Sequence, residues 1–302
     1  MNTYSRVVFC CLVFLLAISL ASFSYAQYTT QEKPAQQEPP GTGAEQATPV
    51  PRTYSETAGP EKPGQKVIPE DLTANLNTSF YSKYVWRGYE LSKNSLVIFP
   101  SATIGYKGFA FNVWVDFDTD FHNPPPGQSN HKSLQETDLT LTYSNKFQPL
   151  KLNYTVGWIY YDTDGFHGNR PTSNQELFVT LGLDWSLLRP TLSFYREIET
   201  GAAYYANLGV SHGFNVYKDW TLDVGGWISY LYNHSTLNYS NVHDGNLWSS
   251  LTVPLTPFWS VAGKIQYSFP LSHIAQDQIA ASSFNGKDSK WVYGGIIFDR
   301  HF

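Results

Sequence analysis

From Leu72 to Phe302 the chain repeats one pattern, in which apolar and polar residues alternate along a series of segments. Side chains of a β-strand point alternately to its two faces, so each segment predicts a strand with one apolar and one polar face. A clear example is the apolar row Phe109, Phe111, Val113, Val115 and Phe117. Few stretches have the period of a helix. The repeat therefore restricts the chain to an all-β fold.

The number and spacing of these segments indicate which all-β fold. We count about 12 strands, an even number as bacterial transmembrane barrels have. Five gaps are short: near Lys107 and at 144–150, 186–190, 215–219 and 254–257. Four gaps, 119–134, 162–174, 231–243 and 271–288, are long and polar. Short turns at one rim and long loops at the other predict an antiparallel transmembrane β-barrel.

Aromatic residues are expected to mark both rims of this barrel as girdles at the membrane interfaces. Trp185, Trp220 and Trp259 lie beside short gaps, whereas Trp86, Trp158 and Tyr160 lie beside the opposite rim. The composition agrees with this interpretation, because 16% of the residues are aromatic and only 15% are charged. The barrel is predicted to lie in the bacterial outer membrane.

The first segment, Leu72 to Gly88, reads LTANLNTSFYSKYVWRG. Its alternation predicts one long strand that places Tyr84 and Trp86 on the lipid face and Lys83 and Arg87 in the lumen. One such strand on its own would also fit a soluble β-sandwich. The sorting of loops and aromatic residues along the rest of the chain favours the barrel.

The chain is predicted to have three parts: a signal peptide at 1–26, a disordered periplasmic tether at 27–70 and the barrel at 71–302. Arg6 precedes an apolar run, and Ser24-Tyr25-Ala26 resembles a cleavage site. The tether is rich in Pro and Gln and poor in large apolar residues. Both cysteines, Cys10 and Cys11, lie in the signal peptide, so the mature barrel depends on its hydrogen-bonded ladder and has no disulfide.

The full chain has 20 basic and 25 acidic residues. Removal of Arg6 with the signal peptide lowers the number of basic residues by one, so the mature chain is mildly acidic. This balance argues against a nucleic-acid partner. The expected partners are outer-membrane lipid, small solutes and the barrel assembly machinery. Phe302, in phase with Ile296 and Phe298, is predicted to be the assembly signal, although Arg300 departs from the usual apolar pattern.

Ser82-Lys83-Tyr84-Val85-Trp86-Arg87-Gly88 resembles the S-x-Y-V-W-R-G motif that opens the TorF-type porins. The similarity continues through Tyr89–Ser92, Ile104-Gly105-Tyr106, Gly108-Phe109 and Asn112-Val113-Trp114. It covers roughly the first forty residues of the barrel, and the remainder matches only in pattern. The resemblance implies an outer-membrane barrel of the porin class and leaves its solute open.

The polar rows contain the residues expected to line a pore. They are Lys83, Arg87, Asp116, Asp118, Glu136, Asp138, Glu176, Asp184, Asp223 and Lys264. The acidic excess favours cations in a narrow lumen. Alternatively, these side chains form ion pairs that only stabilise the interior. Arg87 could form a constriction with Asp116 or Glu136, or be a structural pair that fixes the first hairpin. Inward-facing Trp114, Trp227, Trp248 and Trp291 could stack sugars or plug the lumen.

Other chemistry has weaker support. Asp116, Asp118 and Asp120 share one face, and Asp162-x-Asp164-Gly165 forms an acidic turn, but neither has calcium-loop spacing. His122, His131, His167, His234, His243 and His273 fall in predicted loops, and His234-Ser235 matches no hydrolase pattern. We therefore expect a non-enzymatic channel for passive diffusion of small solutes, cations among them, without a cofactor or metal. The alternatives are a rim hydrolase and a non-conducting structural or adhesive barrel.

Overall fold

The computed structural model describes residues 71–120, 134–163, 172–184, 188–199, 203–233 and 237–302. The predicted signal peptide and tether lie outside this part of the chain and stay predictions. The same holds for Trp185 and for four of the loop histidines: His122, His131, His167 and His234.

The described residues form a closed antiparallel barrel of twelve strands, which confirms the predicted fold class. The wall begins with β1, Leu72–Tyr81. Two short strands, β2 (Val85–Trp86) and β3 (Tyr89–Glu90), pair only with each other. The wall continues with β4 Val97–Tyr106, β5 Phe109–Asp118, β6 Leu134–Phe147, β7 Leu152–Thr163, β8 Thr172–Leu183, β9 Thr191–Glu197, β10 Tyr204–Tyr217, β11 Trp220–Asn233, β12 Tyr239–Pro254, β13 Trp259–Pro270 and β14 Trp291–His301. The wall closes where β14 pairs with β1.

The outward row of the strands is apolar, as the alternation predicts. Exposed residues of this row include Leu76, Phe111, Leu141, Val156, Leu177, Leu208, Ile228, Leu247, Ile265, Val292, Ile296 and Phe298. A closed ladder leaves no unpaired strand edge, and an apolar exterior is the surface that a lipid bilayer requires. The barrel is therefore a transmembrane one, in agreement with the predicted outer-membrane location. Among the described residues, no helix has the length and apolar character needed to cross a membrane.

Four of the six aromatic residues predicted for the two girdles belong to this outward row. Trp220 and Trp259 are exposed near the short-turn rim. Trp158 and Tyr160 stack at a centroid distance of 6.3 Å near the opposite end of β7. The assignment of Trp86 to the girdle is wrong, because this side chain is buried.

The predicted asymmetry of the connections is also observed, with two corrections. Tight turns follow β4, β6, β10 and β12, and the 3₁₀ helix Gln148–Leu150 forms one of them. The predicted loop 231–243 is largely strand, because β11 runs to Asn233 and β12 begins at Tyr239. The predicted loop 271–288 contains a helix, α1, at His273–Ala281. Its N-terminus is capped by Ser272, whose side chain accepts a hydrogen bond from the Ala275 N–H.

The first segment is not one long strand. Tyr81 pairs directly with Val97, so β1 and β4 are neighbours in the wall and the chain between them leaves it. We call residues 83–95 the lumen hairpin; its β2 and β3 pair Val85 with Glu90 and Trp86 with Tyr89. Arg87 and Gly88 form its tip with φ angles of 47° and 82°. Glycine adopts this left-handed conformation without strain, which permits the tight reversal.

Candidate functional site

The lumen hairpin crosses the interior of the barrel. In the ring of strands, β9 lies six strands from β1 in either direction, directly opposite the point where the hairpin starts. The tip residue Arg87 contacts side chains of β8, β9 and β10. The hairpin therefore reaches from one wall to the other.

Arg87 forms a buried, bidentate ion pair at the far wall. Its Nη1 and Nη2 donate to Glu176 Oε1 and Oε2 at 2.9 and 2.8 Å. The Tyr161 hydroxyl donates to Glu176 Oε2 at 2.9 Å. Only 5% and 6% of the Arg87 and Glu176 side chains are exposed. Two parallel hydrogen bonds fix both the position and the angle of the guanidinium.

Aromatic rings surround the same guanidinium. Its Cζ lies 4.3 Å from the ring centroids of Trp86 and Tyr205 and 4.9 Å from that of Tyr195. Cation–π attraction partly replaces the hydration that Arg87 loses on burial. The expected partners Asp116 and Glu136 are therefore wrong for Arg87. The interpretation as a structural pair is supported, but its partner lies across the lumen.

The backbone of the tip is held by two side chains. Trp291 Nε1 donates to the Gly88 carbonyl at 2.8 Å, and His243 Nε2 lies 3.0 Å from the Arg87 carbonyl. A carbonyl only accepts, so Nε2 of His243 bears the proton and Nδ1 accepts from the Tyr239 hydroxyl at 3.0 Å. The expectation that His243 is a loop histidine is wrong, because it is fully buried in β12.

On the β5–β6 side, Tyr84 connects the hairpin to the acidic wall. Its hydroxyl donates to Glu136 Oε2 at 2.8 Å, and its ring lies 5.2 Å from that of Phe99 and 5.9 Å from that of Trp114. Burial raises the pKa of Tyr84 well above its usual range, and the neighbouring carboxyl groups raise it further. The hydroxyl therefore keeps the proton that it donates.

The base of the hairpin contains a second ion pair. Lys83 pairs with Glu90, lies 3.2 Å from Asn94 Oδ1 and stands over the Trp291 ring at 5.1 Å. Glu90 Oε2 also accepts from the Phe284 N–H at 3.2 Å. Lys83 is therefore part of the inserted hairpin, whereas the sequence predicted it on a strand of the wall.

Helix α1 covers the tip from the long-loop side. Its Ala275 and Ile279 are completely buried. A Cβ atom added to Gly88 would lie 2.9 Å from Ile279 Cδ1 and 3.0 Å from Asp244 Cβ. A side chain at position 88 would therefore require a small displacement of the Ile279 side chain and of β12.

The predicted acidic row of β5 and β6 faces the lumen, as the alternation indicates. Asp116, Glu136 and Asp138 are 0%, 1% and 2% exposed, and Asp118 is also buried. Asp116 and Glu136 are directly opposite each other on neighbouring strands. Neither carboxylate oxygen of Asp116 has a hydrogen-bond partner among the described residues. In this conformation, the hairpin separates these pore-lining candidates from solvent.

The structure does not arrange these acidic residues as a metal centre. Among the residues that it describes, no group of three or more His, Cys, Asp or Glu side chains could hold a metal ion. Asp118 Oδ1 accepts from the Asp120 N–H at 2.9 Å. Asp162 lies at an exposed position of β7, and Asp164 and Gly165 fall outside the described residues.

The half of the lumen near the short turns is more open. Asp184, Asp223 and Lys264 are partly exposed there. Lys146 donates to Asp184 Oδ2 at 2.6 Å, and this hydrogen bond lowers the pKa of Asp184. Sequence reasoning missed Lys146, although it is in phase with Glu136 and Asp138 on β6. Lys264 lies over the Trp248 ring at 5.4 Å.

Two of the four inward tryptophans pack against the hairpin. Trp114 and Trp291 belong to a buried aromatic cluster with Tyr84, Trp86 and Tyr89. This placement supports the expectation that they plug the lumen, since hairpin side chains occupy the space beside them. Trp248 faces Lys264 in the more open half.

Ser229 and His243, which are buried beside the tip of the hairpin, do not form a nucleophile–base pair. Ser229 Oγ donates to Asp244 Oδ1 at 2.5 Å and accepts from the Asp244 N–H at 2.9 Å. Both ring nitrogens of His243 are occupied by Tyr239 and the Arg87 carbonyl. These groups stabilise the wall around the tip of the hairpin.

The last residue continues the outer surface. The Phe302 N–H donates to the Ala74 carbonyl at 3.0 Å, and its side chain is exposed. The Arg300 guanidinium lies over the Phe302 and Trp259 rings at 4.4 and 5.0 Å. The role of Phe302 as an assembly signal stays a prediction.

Comparisons with protein-family models and with curated proteins find no match. Solved structures similar to this chain include the NanC porin, with 9% identity, coverage of 75% of this chain and 98% of that one, and a TM-score of 0.47. An outer membrane channel from Pseudomonas putida F1 has 10% identity, coverage of 81% and 100%, and a TM-score of 0.44. The outer membrane channel DcaP of Acinetobacter baumannii has 6% identity, coverage of 76% and 96%, and a TM-score of 0.36.

Proposed function

We propose that the barrel is a porin-like channel for passive diffusion of small solutes across the bacterial outer membrane. The observation that carries this proposal is the polar lumen wall, which extends beyond the contacts that hold the hairpin. A barrel that served only as a scaffold would gain more stability from an apolar interior. Polar residues on the inward row include Asn75, Asn77, Asn112, Thr140, Thr142, Asn153, Thr155, Thr180, Ser193, Asn207, Asn246, Gln266 and Ser268.

The resemblance of Ser82–Gly88 to the opening motif of the TorF-type porins supports the same class of function. In this chain, that motif forms the first half of the lumen hairpin. Within the motif, Arg87 contacts the far wall, and the Trp86 ring lies against its guanidinium. We therefore propose that the motif shapes the passage.

The alternative is a non-conducting barrel, and one observation favours it. The hairpin fills the long-loop half of the lumen with aromatic side chains. The buried cluster comprises Tyr81, Tyr84, Trp86, Tyr89, Leu91, Val97, Trp114, Tyr205, Leu231, Tyr239, Ala275, Ile279, Trp291 and Tyr293. A permanent plug of this kind would block diffusion.

Conductance distinguishes the two functions. We expect the purified protein in planar bilayers to give discrete current steps, and liposomes containing it to swell in small sugars. The matched variant replaces 83–95 by a short Gly-Ser turn, which should conduct more because it empties the lumen. A wild type that carries no current while the folded variant conducts would contradict the channel and support the barrel plugged by its hairpin.

We further propose that the channel prefers cations. Lys83, Arg87 and Lys146 are paired with Glu90, Glu176 and Asp184. Asp116 and Glu136 form no ion pair within the described part of the chain. The carboxyl groups near the hairpin therefore outnumber the basic side chains that could neutralise them, and a narrow lumen screens charge on them poorly.

The reversal potential across a potassium chloride gradient tests this preference. We expect cation selectivity in the wild type and a smaller selectivity in the double variant Glu136→Gln, Asp138→Asn. The control is Asp71→Asn, which removes an exposed carboxylate 3.8 Å from Lys107 at the rim. Anion selectivity in the wild type would refute the proposal.

A further inference from the structure

We propose that the lumen hairpin is a gate, held shut by the ion pair between Arg87 at its tip and Glu176 on the opposite wall. In the open state, residues 83–95 leave the lumen together. This inference rests on the proposed channel function, and the experiment below separates the two. Three independent features of the structure support a hairpin that moves as a unit.

The wall is complete without the hairpin. Tyr81 pairs with Val97, the Ser82 N–H donates to the Gly294 carbonyl at 2.9 Å, and the Leu96 carbonyl accepts from the Thr119 N–H at 3.1 Å. The chain thus leaves the ladder after Ser82 and rejoins it at Leu96. Movement of the segment between them breaks no hydrogen bond between wall strands.

The hairpin has hydrogen bonds of its own. The Leu91 N–H donates to the Tyr84 carbonyl at 2.9 Å, and the Tyr84 N–H donates to Ser92 Oγ at 2.7 Å. Exposed residues Ser82, Lys93 and Asn94 flank this ladder at both ends. The paired strands can therefore turn as one body about flanking residues that have little packing to lose.

The closed state leaves buried polar atoms unsatisfied. Among the described residues, Trp86 Nε1, Asn246 Oδ1, Ser268 Oγ, Glu136 Oε1 and both Asp116 carboxylate oxygens have no hydrogen-bond partner. Each such atom destabilises the closed state relative to one in which water reaches it. Hydration of these atoms on opening offsets part of the aromatic burial that is lost.

The contacts at the tip suit a reversible latch. Arg87 and Glu176 are both charged groups that water solvates well once they separate, and the bond from Trp291 to the Gly88 carbonyl is likewise replaceable by water. Opening also releases Glu176 into a lumen that already contains the acidic row. The open passage is therefore more acidic than the closed one, in agreement with the proposed preference for cations.

Single-channel recording of Arg87→Gln tests the latch. We expect the wild type to open rarely and the variant to remain open for roughly tenfold more of the time, because loss of a state-specific contact shifts the populations. The matched control is Lys107→Gln, which removes a lysine paired with Asp71 on the exposed rim. Equal open times for Arg87→Gln and the wild type would overturn the latch.

A reversible cross-link tests the movement itself. A Cβ atom at position 88 would lie 3.0 Å from Asp244 Cβ, and a small outward shift of the two chains would bring it to the spacing of about 3.5–4.5 Å in disulfides. In Gly88→Cys with Asp244→Cys, we expect oxidation to abolish openings and reduction to restore them. Each single variant serves as the control for the loss of the native side chain. An oxidised double variant that opens as often as the reduced one would overturn the gate.

The variant with 83–95 shortened distinguishes failure of the gate from failure of the channel. If the wild type and this variant both conduct while Arg87→Gln and the oxidised cysteine pair behave like their controls, the channel stands and the gate is wrong. If the shortened variant folds, by heat-modifiable migration, and carries no current, the channel and the gate both fail.

Discussion

At the scale of single residues, Arg87 shows how a charge is accommodated inside the barrel. Removal of its hydration is offset by two hydrogen bonds to Glu176 and by three aromatic rings. Its partner lies 89 residues away along the chain. No local pattern could have identified Glu176, because the pair depends on a hairpin that crosses from β1 to the wall at β8.

Tyr84→Phe should lower the free energy of unfolding by about 1–3 kcal/mol, because it leaves a buried oxygen of Glu136 without its donor. The control is Tyr230→Phe, whose hydroxyl lies 2.6 Å from Ser240 Oγ on the exposed face. We expect this variant to lose less than about 0.5 kcal/mol, because surface substitutions generally have small effects. Urea titration in detergent micelles measures both. Equal losses in the two variants would show that Glu136 does not need the Tyr84 hydroxyl.

Gly88→Ala should destabilise the closed hairpin, because its φ angle of 82° is strained for alanine and the added Cβ meets Ile279 and Asp244. Gly286→Ala separates these causes, since Gly286 has a φ angle of 68° and no atom within 4 Å of the added Cβ. The strain alone should cost about 1–2 kcal/mol. Protease cleavage within 83–95 should therefore accelerate more in Gly88→Ala. Similar cleavage rates would mean that crowding at the tip contributes little.

At the scale of elements, the wall strands could be predicted from the sequence and the lumen hairpin could not. Inward and outward rows have a period of two, and that period places Asp116, Glu136, Asp138 and Glu176 correctly without knowledge of any partner. In the first segment, Tyr84 and Trp86 continue the same alternation. Aromatic residues suit both a membrane interface and a buried plug, so their position could not be deduced from the pattern.

Helix α1 could have been recognised from the sequence. Ser272 precedes a run free of Gly and Pro that is rich in Ala, Gln and Ile, which is a typical N-cap followed by helix-favouring residues. The run was instead predicted as part of a long loop, because the strand period ends before it. Removal of the Ser272 cap therefore tests how stable α1 is in its position over the hairpin.

Ser272→Ala should remove the hydrogen bond that Ser272 Oγ accepts from the Ala275 N–H at 3.1 Å. Such losses cost about 1 kcal/mol at a helix N-terminus. Hydrogen exchange should accelerate at the amides of α1 and leave β12 and β13 unchanged. Ser282→Ala, at the other end of the helix, is the control, because its hydroxyl bonds only to the Gln278 carbonyl of its own helix at 3.3 Å.

At the scale of the whole molecule, the barrel has two surfaces with opposite requirements. Leu141, near the middle of β6, is 49% exposed on the outer face, and Thr142 beside it faces the lumen. A lysine at an outward position near the bilayer midplane costs about 2–4 kcal/mol. Leu141→Lys should therefore reduce heat-modifiable, membrane-inserted protein, whereas Thr142→Lys should insert normally. The opposite result would mean that the strand phase is reversed.

The way in which the hairpin joins the wall also bears on how this protein could diversify. Since Tyr81 already meets Val97, residues 83–95 behave as an interchangeable cassette: their length and sequence can change while the shear of the twelve strands stays the same. A substitution in the wall must remain compatible with the lipid, with the hydrogen bonds between strands and with the packing of neighbouring strands. Substitutions in the cassette face only the inner walls that it touches. Heritable change in what the barrel admits can therefore arise between Ser82 and Leu96 on an unchanged scaffold, within the limits that the Ser82–Gly88 motif sets through its contacts with the far wall.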